Sequence, residues 1–242
     1  MDPAIPFEKI AAQAIFQGAS LIGAADVAAL LDSPSHRRYP TDPRVRDACS
    51  VVVLALAHPG AKPKMDWWSN RKGKTPGNRL LLKISRGLTS WFRKAHSAEA
   101  RSLPYHVNQG GVFLKDAAVL SGLGVIGKNN LLITPQYGPR VRLRALLVNR
   151  TVQGTTPLDG FAPCDGCDAP CMQVCPREAF RSGFYQVERC QLQLKKDETR
   201  KIVIRQPVIG MPVKFKISYC RLCELTCPVG RETDRFGSSP QT

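Results

Sequence analysis

Eight of the nine cysteines lie between Cys164 and Cys227, at spacings suited to binding metal. They read Cys164-x2-Cys167-x3-Cys171-x3-Cys175-Pro176, then a lone Cys190, then Cys220-x2-Cys223-x3-Cys227-Pro228. A Cys-x-x-Cys turn can bring two soft thiolates onto one centre. Eight thiolates are what two [4Fe–4S] clusters require, at four each. In two-cluster ferredoxins the cysteine before proline ligates the other cluster. On that logic Cys164, Cys167, Cys171 and Cys227 hold one cluster, and Cys175, Cys190, Cys220 and Cys223 hold the second. Two zinc sites of four thiolates each are the competing reading. The Cys-Pro that closes each group favours iron, and disulfides come third. Cys49, the ninth, opens an apolar run and is expected to be a small buried hydrophobe.

A second stretch with chemical potential is Gly122-x-Gly124-x-x-Gly127, followed by Lys128 and Asn129. The spacing is formally that of a dinucleotide fingerprint, which needs a strand before it and a helix after. Here the pattern predicts a helix before and a strand after, so the glycines are expected to mark a tight turn with close backbone approach. Lys128 and Asn129 could hold a phosphate or a cofactor amide, or could simply be solvated. Upstream, Tyr105 and His106-Val-Asn-Gln-Gly-Gly111 form a polar, glycine-rich loop. His106 and Asn108 could order a substrate or water there, or cap the loop. Tyr105 is a candidate proton donor.

The elements that must position these groups follow from periodicity. Phe7 to Gln17 and Asn78 to about Ala100 are expected helices, the second with Leu81, Leu82, Ile84, Leu88, Trp91 and Phe92 inside. Phe113 to Ser121 is a third. Ser20 to Ala25 and Ala48 to Ala57 are expected strands, with a polar loop over 60–78. Residues 130–134 and 141–149 are expected to form a hairpin. Another is expected between Cys190 and Cys220, from Lys201–Arg205 and Val213–Tyr219 around Val208-Ile-Gly-Met-Pro212. Interleaved helices and strands argue for an α/β or α+β layered domain over 1–155, followed by a cysteine module over 156–242. His36 and His96, among charged residues, are expected at the surface, and His58 as a satisfied loop histidine. Trp67 and Trp68 are expected to cover a pocket or core edge rather than stack bases.

The 242 residues carry 35 Lys and Arg against 19 acids, a formal charge of +16. Eleven of the cations fall between Lys62 and Arg101. Such a charge suits an anionic partner: a nucleic acid such as RNA, a nucleotide, or an acidic protein such as a ferredoxin or flavodoxin. Two clusters would each add −2 and bring the balance to about +12. The longest apolar run, Val51 to Ala57, is far short of a membrane span, which needs about 20 residues. The N-terminus lacks a secretory pattern and a twin-arginine signal, so the expected location is cytoplasmic.

Ser121-Gly-Leu-Gly-Val-Ile-Gly-Lys-Asn-Asn-Leu-Leu-Ile-Thr134, followed by the double-cluster cysteine pattern, resembles the epoxyqueuosine reductase family, which is related to the reductive dehalogenases. The resemblance runs over about residues 5–230. It implies a nitroreductase-like domain that binds cobalamin and a ferredoxin-like module with two [4Fe–4S] clusters, with FMN the alternative organic cofactor. The implied activity is an oxidoreductase passing electrons from clusters to cobalt and on to a substrate. Tyr105, His106 and Asn108 would then lie at the reacting side, and Gly122, Gly124, Gly127, Lys128 and Asn129 beside the corrin. In two respects the sequence departs from the family. The family's acidic proton donor aligns with Asn108, and an amide cannot donate a proton as a carboxylic acid does. The family's C-terminal helical-repeat region, which helps hold tRNA, has no counterpart before Thr242. These departures keep a second function open, an electron-transfer or activator protein that reduces a separate corrinoid protein.

Overall fold

The computed structural model describes residues 3–39, 42–71, 74–205 and 213–231. From the N-terminus the elements run α1 (Phe7–Phe16), β1 (Leu21–Asp26), α2 (Val27–Leu31), α3 (Pro34–Arg38), α4 (Pro43–Arg46) and β2 (Ser50–Ala57). A 3-10 turn (Pro63–Asp66) leads to β3 (Trp68–Ser69), α5 (Pro76–His96) and β4 (Ala100–Ser102). A second 3-10 turn (Val107–Gln109) precedes α6 (Leu114–Leu120), β5 (Val125–Ile126), β6 (Leu132–Ile133) and β7 (Val141–Val148). Then come α7 (Pro170–Gln173), α8 (Val187–Glu198), β8 (Ile202–Arg205), β9 (Lys214–Ile217) and α9 (Leu222–Leu225).

The chain divides into two compact units. Met1–Ala57, Leu80–Val125 and Arg142–Phe161 form the first, and His58–Arg79, Ile126–Val141 and Ala162–Thr242 form the second. A single cut at 155/156 falls near the last boundary. Two earlier segments also join the cysteine-bearing unit, which contiguous sequence does not reveal.

The first unit is a helix-covered sheet with strand order β1-β2-β7-β4. β1 and β2 pair antiparallel from Leu21↔Ala55 to Asp26↔Ser50. Val51 to Leu56 are all buried, as an unbroken apolar strand requires when both its faces are covered. α1, α2 and α6 pack on this sheet. α5 buries Leu81, Ile84, Leu88 and Phe92 at helical spacing, each stabilising by about 1.5–3 kcal/mol. The mixed α/β class expected from the sequence is the class observed.

Three expectations are corrected. Residues 130–134 and 141–149 do not form a hairpin: β6 pairs with β5, and β7 enters the larger sheet between β2 and β4. The apolar character of β7 suits that central place better than a surface hairpin. His36 is buried rather than at the surface. Its Nε2 accepts from the Phe113 amide (3.3 Å) and its Nδ1 meets the Ser33 hydroxyl (2.9 Å), which donates to Asp116 (3.1 Å). Burial holds its pKa below the ordinary value. Cys49 is exposed, and its thiol donates to the Asn149 carbonyl (3.2 Å).

In the second unit β8 and β9 pair antiparallel, as expected for the Cys190–Cys220 insert, and β3 adds to the other side of β9. The turn over Val208–Pro212 lies outside the described residues. β3 has no forerunner in the sequence pattern, because a two-residue strand leaves no periodicity to read. Among the described residues no helix is long and apolar enough to cross a membrane.

Two glycines of the first unit are required by close approach. A Cβ on Gly23 would meet the Ser121 carbonyl oxygen at 2.2 Å. Gly122, at φ +69°, would meet the Thr156 carbonyl oxygen at 2.2 Å. Gly122→Ala should cost about 2–4 kcal/mol, combining left-handed strain with overpacking. Gly160 has φ +67° with nothing within 4 Å, so Gly160→Ala should cost only the strain, about 1–2 kcal/mol. Thermal melts of the two variants check the ordering; equal losses would refute the packing argument.

Candidate metal centres

The second unit gathers the eight clustered cysteines into two groups of four. Cys164, Cys167, Cys171 and Cys227 line one small pocket, with Lys128 and Asn129 at its edge. Burial pushes the Cys171 thiol up, and Cys227, Cys164 and Cys167 add to the shift. Burial also raises the Cys227 thiol, against the lowering effect of Arg140. The other four thiols form a second electrostatic group. The Cys223 thiol is pushed up to about 12 by burial first, then by Cys220, Glu224, Cys190 and Cys175. Cys220 is raised by burial, with Asp197, Cys190 and Cys175 contributing. Crowded thiols of this kind lose their protons to a cationic centre, since binding metal requires the thiolate. Among the described residues no three Cys, His, Asp or Glu side chains converge on a point suited to a single metal ion.

Local structure explains how the loops hold their shape. Cys167 N–H turns back to the Cys164 carbonyl, and α7 begins at Pro170, whose fixed φ suits a first helical turn. The Lys128 amide donates to Cys164 Sγ at 3.4 Å and the Ala179 amide to Cys175 Sγ at 3.3 Å. Each group thus receives an N–H···S bond. A Cβ on Gly127 would meet Ile133 at 2.6 Å and Cys164 Sγ at 3.2 Å, so glycine lets this strand end reach the thiol.

Two buried charged side chains anchor the loops, and sequence reasoning missed both. Arg140, 1% exposed, donates to the carbonyls of Glu224 (3.4 Å), Cys227 (3.2 Å) and Val229. Asp197, on α8, accepts from the Cys220 amide (2.8 Å) and from Gln193 (2.9 Å). A further buried set joins His58 to Asp66, and Arg221 to Asp66, Glu224 and the His58 carbonyl. Arg221 and Glu224 stand three apart, with Cys223 between them, and that spacing was the available signal. His58 is held by Asp66 through Nδ1, with Nε2 3.8 Å from Glu224, so it belongs to a buried ion network rather than to an ordinary loop.

The other candidate residues divide between the units. Tyr105, His106 and Asn108 lie in the first unit and are exposed. The loop folds on itself through the Gln109 and Gly111 amides, both bound to the His106 carbonyl, and Gly110 takes φ +90°. Buried Arg144 holds its start by donating to the Leu103 carbonyl (2.9 Å). Gly122 and Gly124 also lie in the first unit, between α6 and β5, so the order is helix, turn, strand and not the dinucleotide order. Gly127, Lys128 and Asn129 fall in the second unit, beside the cysteine loops. Asn129 is buried and donates to the Cys223 carbonyl (3.3 Å), while Lys128 Nζ reaches the Cys167 carbonyl (3.5 Å). Trp68 packs on Phe215, and Lys216 lies over Trp67.

No protein-family profile matches the chain. Among curated proteins, the epoxyqueuosine reductase of Lactococcus garvieae is 25% identical over 205 residues, covering 77% of this chain and 53% of that protein. The epoxyqueuosine reductase of Gloeobacter violaceus is 28% identical over 211 residues, covering 83% and 64%. The chain thus spans about half to two thirds of the length of these relatives. Among solved structures, an epoxyqueuosine reductase with an epoxyqueuosine-modified tRNA-Tyr stem loop superposes with TM-score 0.66 at 22% identity, over 93% of this chain and 65% of that one. A reductive dehalogenase whose structure suggests a mechanism for B12-dependent dehalogenation superposes with TM-score 0.53 at 20% identity, over 71% and 25%. At these identities the superpositions speak to the fold. In sequence and in fold the chain is epoxyqueuosine reductase-like, with a fold related to that of the reductive dehalogenases.

Proposed function

We propose that the protein is an iron–sulfur, corrinoid-dependent reductase. The observation that carries this reading is the grouping of eight thiols into two sets of four in one unit. Two [4Fe–4S] clusters there would supply one-electron carriers, held by Cys164, Cys167, Cys171 and Cys227 in one set and Cys175, Cys190, Cys220 and Cys223 in the other. The protein's own contribution is to fix the thiols, dry their surroundings and donate N–H groups to sulfur, all of which tune a cluster's potential. The dehalogenase likeness supports cobalamin as the organic cofactor, with FMN the alternative. Tyr105, His106 and Asn108 suit contacts to such a cofactor or its substrate, because they are exposed polar groups on a shaped loop. Gly122 and Gly127 suit it less, since the chain's own atoms fill the space a Cβ would take. The tRNA-bound relative supports RNA as a substrate class. The reductant would be a small electron-transfer protein such as ferredoxin or flavodoxin.

Asn108 favours a second reading. Without a carboxylic acid at that position, proton delivery falls to Tyr105, His106 or water. A protein that only passes electrons to a separate corrinoid protein needs no proton donor at all.

Anaerobically purified protein should be brown and hold about eight iron and eight sulfide per chain. Cys171→Ser and Cys223→Ser should each reduce iron towards about four, in different sets. Colourless, zinc-loaded protein would overturn the reading. Cobalamin should bind the loaded protein with a visible spectral change, and its failure to bind would leave the flavin or activator readings. Arg140→Met removes the donors to three carbonyls around Cys227 and should cost about 2–4 kcal/mol. Iron should be lost first from the set containing Cys227, as Cys227→Ser in the same assay would mimic.

A further inference from the structure

We infer that the β3-β9-β8 sheet is the docking surface for a small acidic electron-transfer protein; the inference rests on the cluster-bearing reading above. From Arg200 to Tyr219 the sequence carries five Lys or Arg and no acid. β8 is an edge strand, and Ile202, Val203 and Ile204 are 53%, 48% and 51% exposed. Aliphatic groups ringed by cations are the composition of a protein interface with a charged rim.

The sheet's shape is fixed by its own cation–aromatic contacts. Lys216 Nζ lies 3.8 Å from the Trp67 ring centroid, Lys74 Nζ 4.8 Å from that of Trp68, and Lys201 Nζ 5.5 Å from that of Phe215. These contacts hold ammonium groups at the sheet surface. They also take up a face of each ring, which weighs against stacked bases as the occupant. Asp66, the acid nearest in sequence to β3, is committed to His58 and Arg221.

The hairpin is also rooted in the thiol group that would receive the electron. α8 carries Cys190 and leads into β8, and β9 leads to Cys220 after two intervening residues. The root is clamped where the Asp197 carboxylate accepts from the Cys220 amide and Tyr219 donates to Glu198 (3.2 Å). The end of β9 is therefore within about 10 Å of chain from Cys220, a proposed ligand of the second set. A productive encounter moves one electron, so the donor's reduced cofactor is oxidised by one electron as the thiolate-bound iron is reduced by one.

The test uses oxidised flavodoxin and oxidised plant-type [2Fe–2S] ferredoxin as binding probes, so binding is read whether or not iron is loaded. Lys201→Glu/Lys214→Glu/Lys216→Glu should weaken binding of at least one probe about tenfold or more at low salt, and wild-type affinity should fall as salt rises. The control Lys83→Glu/Arg86→Glu/Lys94→Glu, on α5, changes charge equally and should leave affinity within about twofold. In the iron-loaded protein, reduction by the reduced probe should slow in the sheet variant, while reduction by dithionite stays unchanged. Equal losses in both triple variants, or no loss in the sheet variant, would overturn the docking site. So would loss of single-stranded RNA binding in the sheet variant with both donor affinities unaltered. Absence of iron from wild-type protein would sink the functional reading instead, and the binding comparison would still decide the surface.

Discussion

Four thiols gathered in one place, buried or half-buried, cannot all be anions without a cation among them, and this constraint governs the second unit. Burial disfavours the thiolates of Cys171, Cys220, Cys223 and Cys227, and the neighbouring thiols add to the effect at each. Cys223 feels both most strongly, at about 12. A chain that holds two such groups must keep them from collapsing on one another while leaving them able to take up metal. The means are backbone ones: N–H groups aimed at sulfur, prolines that start or stop short helices, and a glycine where the strand meets Cys164. The charged side chains then act on carbonyls and amides near the cysteines. Arg140 collects three carbonyls, and Asp197 takes one amide.

That arrangement explains why the site is half legible in the sequence. Cys-x-x-Cys spacing is local, and the two-cluster ferredoxin pattern sends each cysteine before proline to the other group, so the groups can be assigned from the order of the cysteines. Arg140 and Asp197 are far in sequence from most of what they hold, and nothing in their own neighbourhoods distinguishes them from solvated charges. The same distinction separates the elements. α1, α5, β1 and β2 are long enough to display their period, and all appear where the pattern places them. β3, β5 and β6 are two residues each, too short for any period, and their partners are chosen by tertiary packing. The expected hairpin over 130–149 fails for this reason: the turn is real, since Thr134 and Gly138 bridge across it, but the strand beyond it joins a different sheet.

The glycine stretch illustrates how one motif can be divided by folding. Gly122 and Gly127 are five residues apart, yet one is packed on Thr156 in the first unit and the other on Ile133 and Cys164 in the second. Neither contact involves phosphate. The spacing that resembles a dinucleotide fingerprint therefore arises from two separate steric demands, each met by removing a Cβ. Helix-before-strand order argues against a nucleotide, and so does the carbonyl oxygen of Thr156, which stands in the space where a Cβ would have to go.

Charge needs the same care. The formal +16 treats every cation alike, but burial sorts them. Arg140 and Arg144 are 1% and 4% exposed, and Arg221 is closed in by Asp66 and Glu224. Their charge is directed inward, to carbonyls and carboxylates, and attracts little from solution. Lys201, Lys214 and Lys216 keep theirs near the surface, on a sheet without a single acid in its two longer strands. Long-range attraction depends on this exposed remainder, because screening removes distant charge and pairing removes buried charge. A net positive balance spread over the chain would favour any polyanion. A local patch of cations beside exposed Ile202 and Val203 favours an anionic surface that also has apolar area to bury, which is a property of folded acidic proteins more than of a phosphate backbone.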